Sequence, residues 1–364
     1  MTYDVIYFEP EDWLAFRDNR AFEIGGNGKV SLPKIETFIG ALKTAILRKN
    51  GIDPNKEIPK EYKEIIGDSQ TAGKIEIFGP FLFKEDKHYF PIPLGLFEEK
   101  IDTEDGNKGD NDEAKKKYGF MQPHKSLRKE YMGYELNLPW IPYMKDGIEQ
   151  PEEQLIELKQ LENLKAGNIE NIQLTKTEEL FKVETKVGIK LEKKLKKAEE
   201  GKLYSIKTFR FIEGAGFFCF ASPDTPRLLQ GIDEVFLGMK QRSVKIRFGK
   251  IQTTLFDTLQ DGKAAVVLLT PSIFKGGFIP ESKRLFDTEI ISAIIGRKQA
   301  ISGWDILNNQ PKPIYHAVPA GSVYFLDGNP QENPFNSSVS DEFSDFGYGK
   351  YFVMNWDYIR RDNK

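Results

Sequence analysis

The sequence predicts an α+β fold in which a unit of strand, helix and hairpin is used twice. Three observations point there. Short runs rich in Val, Ile, Phe and Tyr are separated by turns marked with glycine and proline. One strong amphipathic helix follows the first of these runs. The second half of the chain repeats the approximate order of the first, and 364 residues are enough for two domains with a large core.

The elements follow in order. TYDVIYFEPEDWLAFRD alternates and then breaks at Glu9-Pro10, as a strand running into a loop does. In SLPKIETFIGALKTAILRKNG, Ile35, Phe38, Ile39, Leu42 and Ile46 recur at helical spacing, with Pro33 near the start and Gly51 past the end. Gly40 inside this helix costs about 1 kcal/mol relative to Ala, which reads as a place where another backbone packs close. KIEIFGPFLF and HYFPIPLGLF form a hairpin about residues 84–87. Residues 100–117 carry a single isoleucine as their only large apolar residue and read as a mobile surface insertion. The polar stretch 146–179 has helical patches and no strong strand, so it reads as a second insertion or a link.

The second half opens with LYSIKTFRFIEGAGFFCFAS, two strands around Glu213-Gly214-Ala215-Gly216. TPRLLQGIDEVFLG suits a helix with Thr225 as N-cap and Pro226 at its first position. RSVKIRFG alternates as a strand with Val244, Ile246 and Phe248 on one face. AAVVLLTPSIF is a buried strand. In AVPAGSVYFLDG, Pro319 lacks a donor and Gly321 permits positive φ, which turns the chain sharply into the strand at Val323, Tyr324 and Phe325. FGYGKYFVMNW supplies the last strand. This order is compatible with tandem ferredoxin-like (RRM-like) domains with loop and helical insertions, divided as 1–200 and 201–364.

Composition bounds the function. Hydrophobic residues make up 39% and charged residues 29%, as in ordinary soluble proteins. The 27 phenylalanines and 14 tyrosines supply core mass and rings for base stacking. The absence of a membrane-length apolar run and of a signal-peptide core predicts a cytoplasmic protein with no membrane partner. The single cysteine, Cys219 in GFFCFAS, excludes an intrachain disulfide and reads as a small buried residue. Net charge is −3, yet residues 240–250 hold five bases and no acid, and residues 186–197 hold six lysines against Glu192. Such local stripes suffice to neutralise phosphates.

Catalytic signatures are missing. There is no H-E-x-x-H, G-x-S-x-G or Walker A pattern. Gly25-Gly26-Asn27-Gly28-Lys29 has Glu23 where a phosphate loop needs glycine and Val30 where it needs Ser or Thr, so it reads as a glycine turn. His88, His124 and His316 have no spacing that suggests a shared metal site, and no cofactor is expected. His124, beside Lys125, Arg128 and Lys129, or His316 could serve as general acid in metal-free RNA cleavage, which defines the alternative function.

Several of these segments together resemble the RAMP superfamily of CRISPR effector subunits, of the Cmr type. They are EDWLAFRDNRAF, LPKIETFIGALKTAIL, FGPFLF, YFPIPLGLF, VETKVGIKLEKKLKKAEEGKLYS, GFFCFASP, LLTPSIFKGGFIP and KPIYHAVPAGSVYFL, in collinear order over most of the chain. Met239 and Lys240 stand where the family has a second glycine and an acid, and GYGK at Gly347 to Lys350 is shorter than in many RAMP proteins. The resemblance implies a non-catalytic RNA-binding subunit of a type III-B complex, acting in antiviral defence. It would hold the 5′ handle of the guide RNA (crRNA) and bridge the large cyclase-like subunit to the backbone RAMP subunit.

A handle surface needs cations for phosphates, glycines for close backbone approach, and rings for splayed bases. The first candidates are therefore Lys240, Arg242, Lys245 and Arg247, read as one stripe. Lys186 and Lys190 on a basic hairpin come second. Arg17 and Arg20 flank Asp18 in the family's opening element. Lys275-Gly276-Gly277 and Tyr348-Gly349-Lys350 pair glycine with a cation. Phe16 and Tyr348 are the candidate stacking rings.

Overall fold

Alternation in the first ten residues decides both faces of the first sheet. Strand β1 (Thr2–Pro10) sends Tyr3, Val5 and Tyr7 to one side and Ile6 and Phe8 to the other, and all five are buried. The computed structural model describes residues 1–16, 33–68, 71–100, 116–131, 133–141, 147–170, 172–191, 198–305 and 310–359. At residues 100, 189–191, 198–204 and 304–305 the description is of the backbone alone. Most of the insertion expected near 100–117 lies outside the described residues.

After β1 come α1 (Ile35–Lys49), α2 (Lys60–Ile66), β2 (Ile77–Lys84), β3 (Lys87–Phe90), β4 (Gln122–Tyr131), β5 (Tyr134–Trp140) and β6 (Gln154–Glu157). Next are α3 (Leu158–Lys165), β7 (Leu174–Lys176), the long hairpin β8 (Phe181–Leu191) and β9 (Ala198–Phe211), and β10 (Ala215–Ala221). The single turn α4 (Thr225–Leu228), β11 (Glu234–Leu237), β12 (Arg242–Gln252), β13 (Lys263–Leu268), β14 (Thr288–Ile294), β15 (Val323–Leu326) and β16 (Tyr351–Trp356) follow. The chain is strand-rich and α+β.

One eight-stranded sheet runs β7-β6-β3-β2-β10-β1-β12-β11. A second, five-stranded sheet runs from the short edge Arg284–Leu285 through β14-β15-β13-β16. Residue 200, where the sequence placed the boundary between halves, lies in β9. The strands beyond it, β10 to β12, complete the first sheet, and the sheets divide between Gln252 and Lys263. Both edges of β1 explain this. Val5 pairs with Phe220 on one side and Gly249 on the other, so its backbone groups are satisfied only by strands from far along the chain.

The two sheets share a strand order. In the first, β1 lies between β10 and β12, with β2 beyond β10. In the second, β13 lies between β15 and β16, with β14 beyond β15. In the first sheet α1 joins β1 to β2, and α4 lies between β10 and β12; the corresponding links in the second, 269–287 and 327–350, carry no α-helix, only the short edge strand Arg284–Leu285 and a 3-10 turn at Ser344–Phe346.

Three apolar layers result. α1 lays Phe38, Ile39, Leu42 and Ile46 on one face of the first sheet, against Ile6, Phe8, Phe217 and Cys219. The other face, with Val5, Phe78, Phe81, Phe218 and Phe220, packs on Val267, Val323, Phe325, Phe352 and Met354 of the second sheet. The outer face of the second sheet buries Val266, Leu268, Tyr324 and Val353, with Tyr134 and Leu136 of the β4–β5 hairpin packed against it. Cys219 is fully buried, as expected, and burial pushes its thiol pKa up.

Three local expectations need correction. Gly40 is exposed and nothing lies within 4 Å of the Cβ it lacks, so no backbone packs there. The helix expected from Thr225 is a single turn whose N-cap is Asp224, because Gly231 takes φ +72° and the chain then alternates as β11. Thr225 is instead buried, its hydroxyl bonded to the Glu76 carbonyl at 3.2 Å. Within 146–179, β6 and β7 extend the first sheet around α3.

Candidate nucleic-acid interface

The basic strand β12 does not present one stripe. Alternation puts Arg242 on the face of Val244 and Ile246, and Lys245 and Arg247 on the other. Lys240 precedes the strand, in a turn where it and Gln241 take positive φ. The two sets meet different partners.

Lys245 and Arg247 are neutralised by acids of β1 and the residues after it. Lys245 Nζ lies 2.5 Å from Glu11 Oε1, Arg247 Nε 2.5 Å from Glu9 Oε1, and Lys250 Nζ 3.9 Å from Asp4 Oδ1. The hydrogen bond to Glu11 raises the Lys245 pKa. The Arg247 guanidinium also lies over the Tyr7 ring at 3.7 Å. This is an exposed ion-pair ladder across two paired strands, which stabilises the sheet by little per pair.

Lys240 and Arg242 join a different group, built around Trp13. The segment after β1 is pinned on two sides. Leu14 exchanges backbone hydrogen bonds with Phe209 of β9 at 2.9 and 2.7 Å, and the Met239 amide donates to the Ala15 carbonyl at 2.8 Å. The second contact requires Gly238: its φ is +66°, and a Cβ there would meet the Ala15 oxygen at 2.5 Å. Trp13 is thereby held between hairpin and turn, only 9% exposed. Lys186 Nζ lies 4.2 Å from the ring centroid, Arg242 Cζ 4.1 Å and Lys240 Nζ 6.0 Å.

Asp12 and Glu184 balance part of this charge. Asp12 forms an ion pair with Arg242 at 3.1 Å and lies 3.9 Å from Arg210, which bonds Glu184 at 2.7 Å. Among the described residues Lys186 and Lys240 have no carboxylate within 4 Å, although the Arg210 hydrogen bond and, with it, the Lys186 charge lower the Glu184 pKa, and the buried Nε of Arg242 has no acceptor. Lys186 and Lys240, held over an indole, can take phosphate oxygens without first breaking an ion pair, whereas Arg242 is shared with Asp12. Arg17 and Arg20 lie outside the described residues, as does the side chain of Lys190.

The two glycine–cation elements occupy structural positions. The Lys275 amide donates to Asp341 at 2.8 Å and its Nζ sits 3.7 Å from Glu342. Gly276 lies where a Cβ would meet the Ile279 carbonyl at 2.4 Å, and the Gly277 amide closes a turn onto Phe274 at 3.0 Å. Tyr348 is 2% exposed and donates to Glu36 of α1 at 2.7 Å, so it offers no face to a base. Burial and Glu36 push its hydroxyl pKa well up. The Gly349 amide bonds Pro271 at 2.7 Å. Lys350 donates to the Phe335 carbonyl at 2.8 Å, lies 5.3 Å from the Phe78 ring, and burial lowers its pKa to about 8. Phe16, 8% exposed, packs with Phe209 and Phe217.

The histidines do not converge. His88 Nε2 shares a 2.7 Å hydrogen bond with the Tyr7 hydroxyl, and burial lowers its pKa to about 4, which keeps it neutral. His124 Nδ1 accepts the amides of Ser126 and Leu127 at 3.1 Å each. His316 is exposed on its own strand. Among the described residues no group of three metal-ligating side chains occurs. No helix among them is long and apolar enough to cross a membrane.

Sequence reasoning missed Trp13. The available signal was a large ring between Asp12 and Leu14, just past the break of a strand, in a chain with few tryptophans.

Comparison with known proteins defines the class. The family model of the CRISPR-associated protein Cas_Cmr3 matches residues 6–356. The chain belongs to that family, the Cmr-type RAMP subunits of type III CRISPR systems. No curated protein matches the sequence. Among solved structures, a chain of the cryo-EM structure of the type III-B Cmr-beta bound to cognate target RNA and AMPPnP is similar. The match covers 88% of this chain and 86% of that one, at 15% identity and TM-score 0.49. A chain of the crystal structure of the Csm3-Csm4 subcomplex in the type III-A CRISPR-Cas interference complex matches over 97% and 99%, at 11% identity and TM-score 0.42.

Proposed function

We propose that this protein is a non-catalytic RNA-binding and assembly subunit of a type III-B effector complex. It holds the 5′ handle of the crRNA and bridges the large cyclase-like subunit to the backbone RAMP subunit in antiviral defence. Family membership supports the complex. The observation that supports the RNA role is the Trp13 group, where Lys186, Lys240 and Arg242 surround one indole and the two lysines have no salt bridge among the described residues. Arg17, Arg20 and Lys190, which neighbour this group in sequence, stay in the proposal as RNA-binding residues. Tandem ferredoxin-like units are the architectural part of the proposal, supported by the strand order common to both sheets.

The handle surface excludes the β12 ladder, since Lys245 and Arg247 would have to leave Glu11 and Glu9 to reach a phosphate. In the endoribonuclease alternative, His124 Nδ1 is committed to two backbone amides, which leaves Nε2 of His124 or the exposed His316 as general acid. Titrating handle RNA at several salt concentrations tests the proposal. Lys186→Glu with Arg242→Glu is expected to weaken binding roughly tenfold or more and to flatten the log–log salt slope by about 1–2. Unchanged affinity and slope would remove Trp13 and its cations from the site. Incubating the protein with repeat RNA in EDTA tests the alternative, and intact RNA is the expected result.

A further inference from the structure

One segment joins the two sheets. β12 ends at Gln252 and β13 begins at Lys263, and the first residues between them form a wedge. Leu255 and Phe256 are fully buried, and the Phe256 ring meets Tyr3, Phe220 and Phe335 edge-to-face at 5.1, 5.2 and 5.3 Å. The Asp257 amide closes the turn onto the Thr254 carbonyl at 3.0 Å. Such a turn leaves carbonyl groups that no strand or helix takes up. Here they gather on one side chain. Lys165, the last residue of α3, donates from Nζ to the carbonyls of Thr254 at 3.0 Å, Leu255 at 2.8 Å and Asp257 at 2.5 Å, which uses all three donors of an ammonium.

Carbonyl oxygens that converge on one point repel each other unless positive charge sits among them, and a ring of such oxygens replaces the water shell of a monovalent cation. Burial lowers the Lys165 pKa to about 8, and Asp257 and Glu162 act against it, so the group is an ammonium at pH 7. The buried Oδ1 of Asp257 has no hydrogen-bond partner among the described residues, which gives the cage an unused anionic oxygen. Glu162 accepts from the hydroxyls of Thr253 and Thr254 at 2.7 and 3.1 Å and from the Thr254 amide at 2.8 Å, so the turn is fixed on the helix. Among the described residues no three metal-ligating side chains gather here, and neutral carbonyls with one carboxylate suit a single positive charge. We infer that the joint between the sheets is a monovalent-cation site that the chain fills with its own Lys165, so that α3 clasps the Phe256 wedge in place. A free potassium or sodium ion takes the cage when the ammonium is removed. The inference uses no residue of the Trp13 group and is independent of the RNA reading.

Lys165→Met keeps the apolar stem and removes the charge, and Lys159→Met, exposed on the same helix, is the control. Thermal melting of the full chain at pH 7 is compared in choline chloride, potassium chloride and sodium chloride at equal ionic strength, choline being too large for the cage. Wild type and control are expected to melt at the same temperature in all three salts. Lys165→Met is expected to melt on the order of 5 °C lower in choline and to recover most of that loss in potassium or sodium. Amide hydrogen exchange places the effect: residues 253–257 are expected to exchange faster in the variant in choline and to regain protection with the small cation. Equal melting of variant and wild type in choline, a loss that no salt changes, or the same salt-specific gain in wild type and control overturns the inference. Should the variant not fold in choline, its refolding yield on transfer to potassium or sodium chloride is the readout, and no yield in either overturns the inference as well.

Discussion

Individual side chains decide which cations are available. Tyr348 and Lys350 looked like a ring and a base beside a flexible glycine, yet both are committed inside the fold. Tyr348→Phe removes a hydrogen bond to the Glu36 carboxylate and is expected to cost about 1.5–3 kcal/mol, with RNA affinity unchanged. A urea titration beside an RNA titration checks this; weaker RNA binding at unchanged stability would return Tyr348 to the interface. Lys350 gives a pH signature. Burial lowers its folded pKa to about 8 from 10.5, so the unfolded chain binds more protons between those values and stability rises with pH across that window. Lys43 and Lys165, also lowered to about 8 by burial, add to the rise. Lys350→Met is expected to shrink the gain in urea midpoint between pH 8 and pH 10; an unchanged gain would contradict the burial of its ammonium.

At the scale of elements, the helix α1 carries a removable defect. Gly40 is exposed, its missing Cβ would meet nothing, and its conformation is helical, so Gly40→Ala is expected to stabilise the protein by about 0.5–1 kcal/mol. Thermal melting measures it, and a lower melting temperature would mean that the Gly40 face packs against something. Much of this level was legible in the residues themselves. The 3.6 spacing from Ile35 to Ile46, the alternation in β1 and the apolar run of β13 depend on neighbours a few positions apart. What failed depended on distance. Leu228, Leu229, Ile232 and Val235 fit helix and strand alike, and the positive φ at Gly231 decided for β11. The β12 bases were visible as a run, but their partners Asp4, Glu9 and Glu11 stand more than two hundred residues earlier, where only sheet register brings them opposite. Trp13 was invisible for the same reason, since hairpin, turn and leading segment must meet before it becomes a platform for cations.

For the whole molecule, the first sheet is the constraint. It draws β1, β2, β3, β6 and β7 from before residue 200 and β10, β11 and β12 from after it. A fragment of residues 1–200 leaves both edges of β1 unpaired and uncovers Ile6, Phe8 and α1, so it is expected to show no cooperative unfolding transition. A cooperative melt of that fragment would contradict the shared sheet. The joint between sheets is held from outside by α3, where Lys165 donates to the carbonyls of Thr254 and Leu255 at 3.0 and 2.8 Å, and Glu162 accepts from the Thr253 hydroxyl at 2.7 Å. This placement gives the described residues one continuous strand-rich body, with the Trp13 group at the β8–β9 hairpin and the β4–β5 hairpin packed on the second sheet.

Crosslinking mass spectrometry on the protein reconstituted with its neighbouring subunits and a guide RNA tests the central claim most directly. The account predicts crosslinks from the 5′ handle to peptides containing Trp13, Lys186 and Lys240 to Arg242, together with protein crosslinks to the large and backbone subunits. Abundant subunit crosslinks with no RNA crosslink at those peptides would contradict it, and leave the protein a bridge that does not hold the handle.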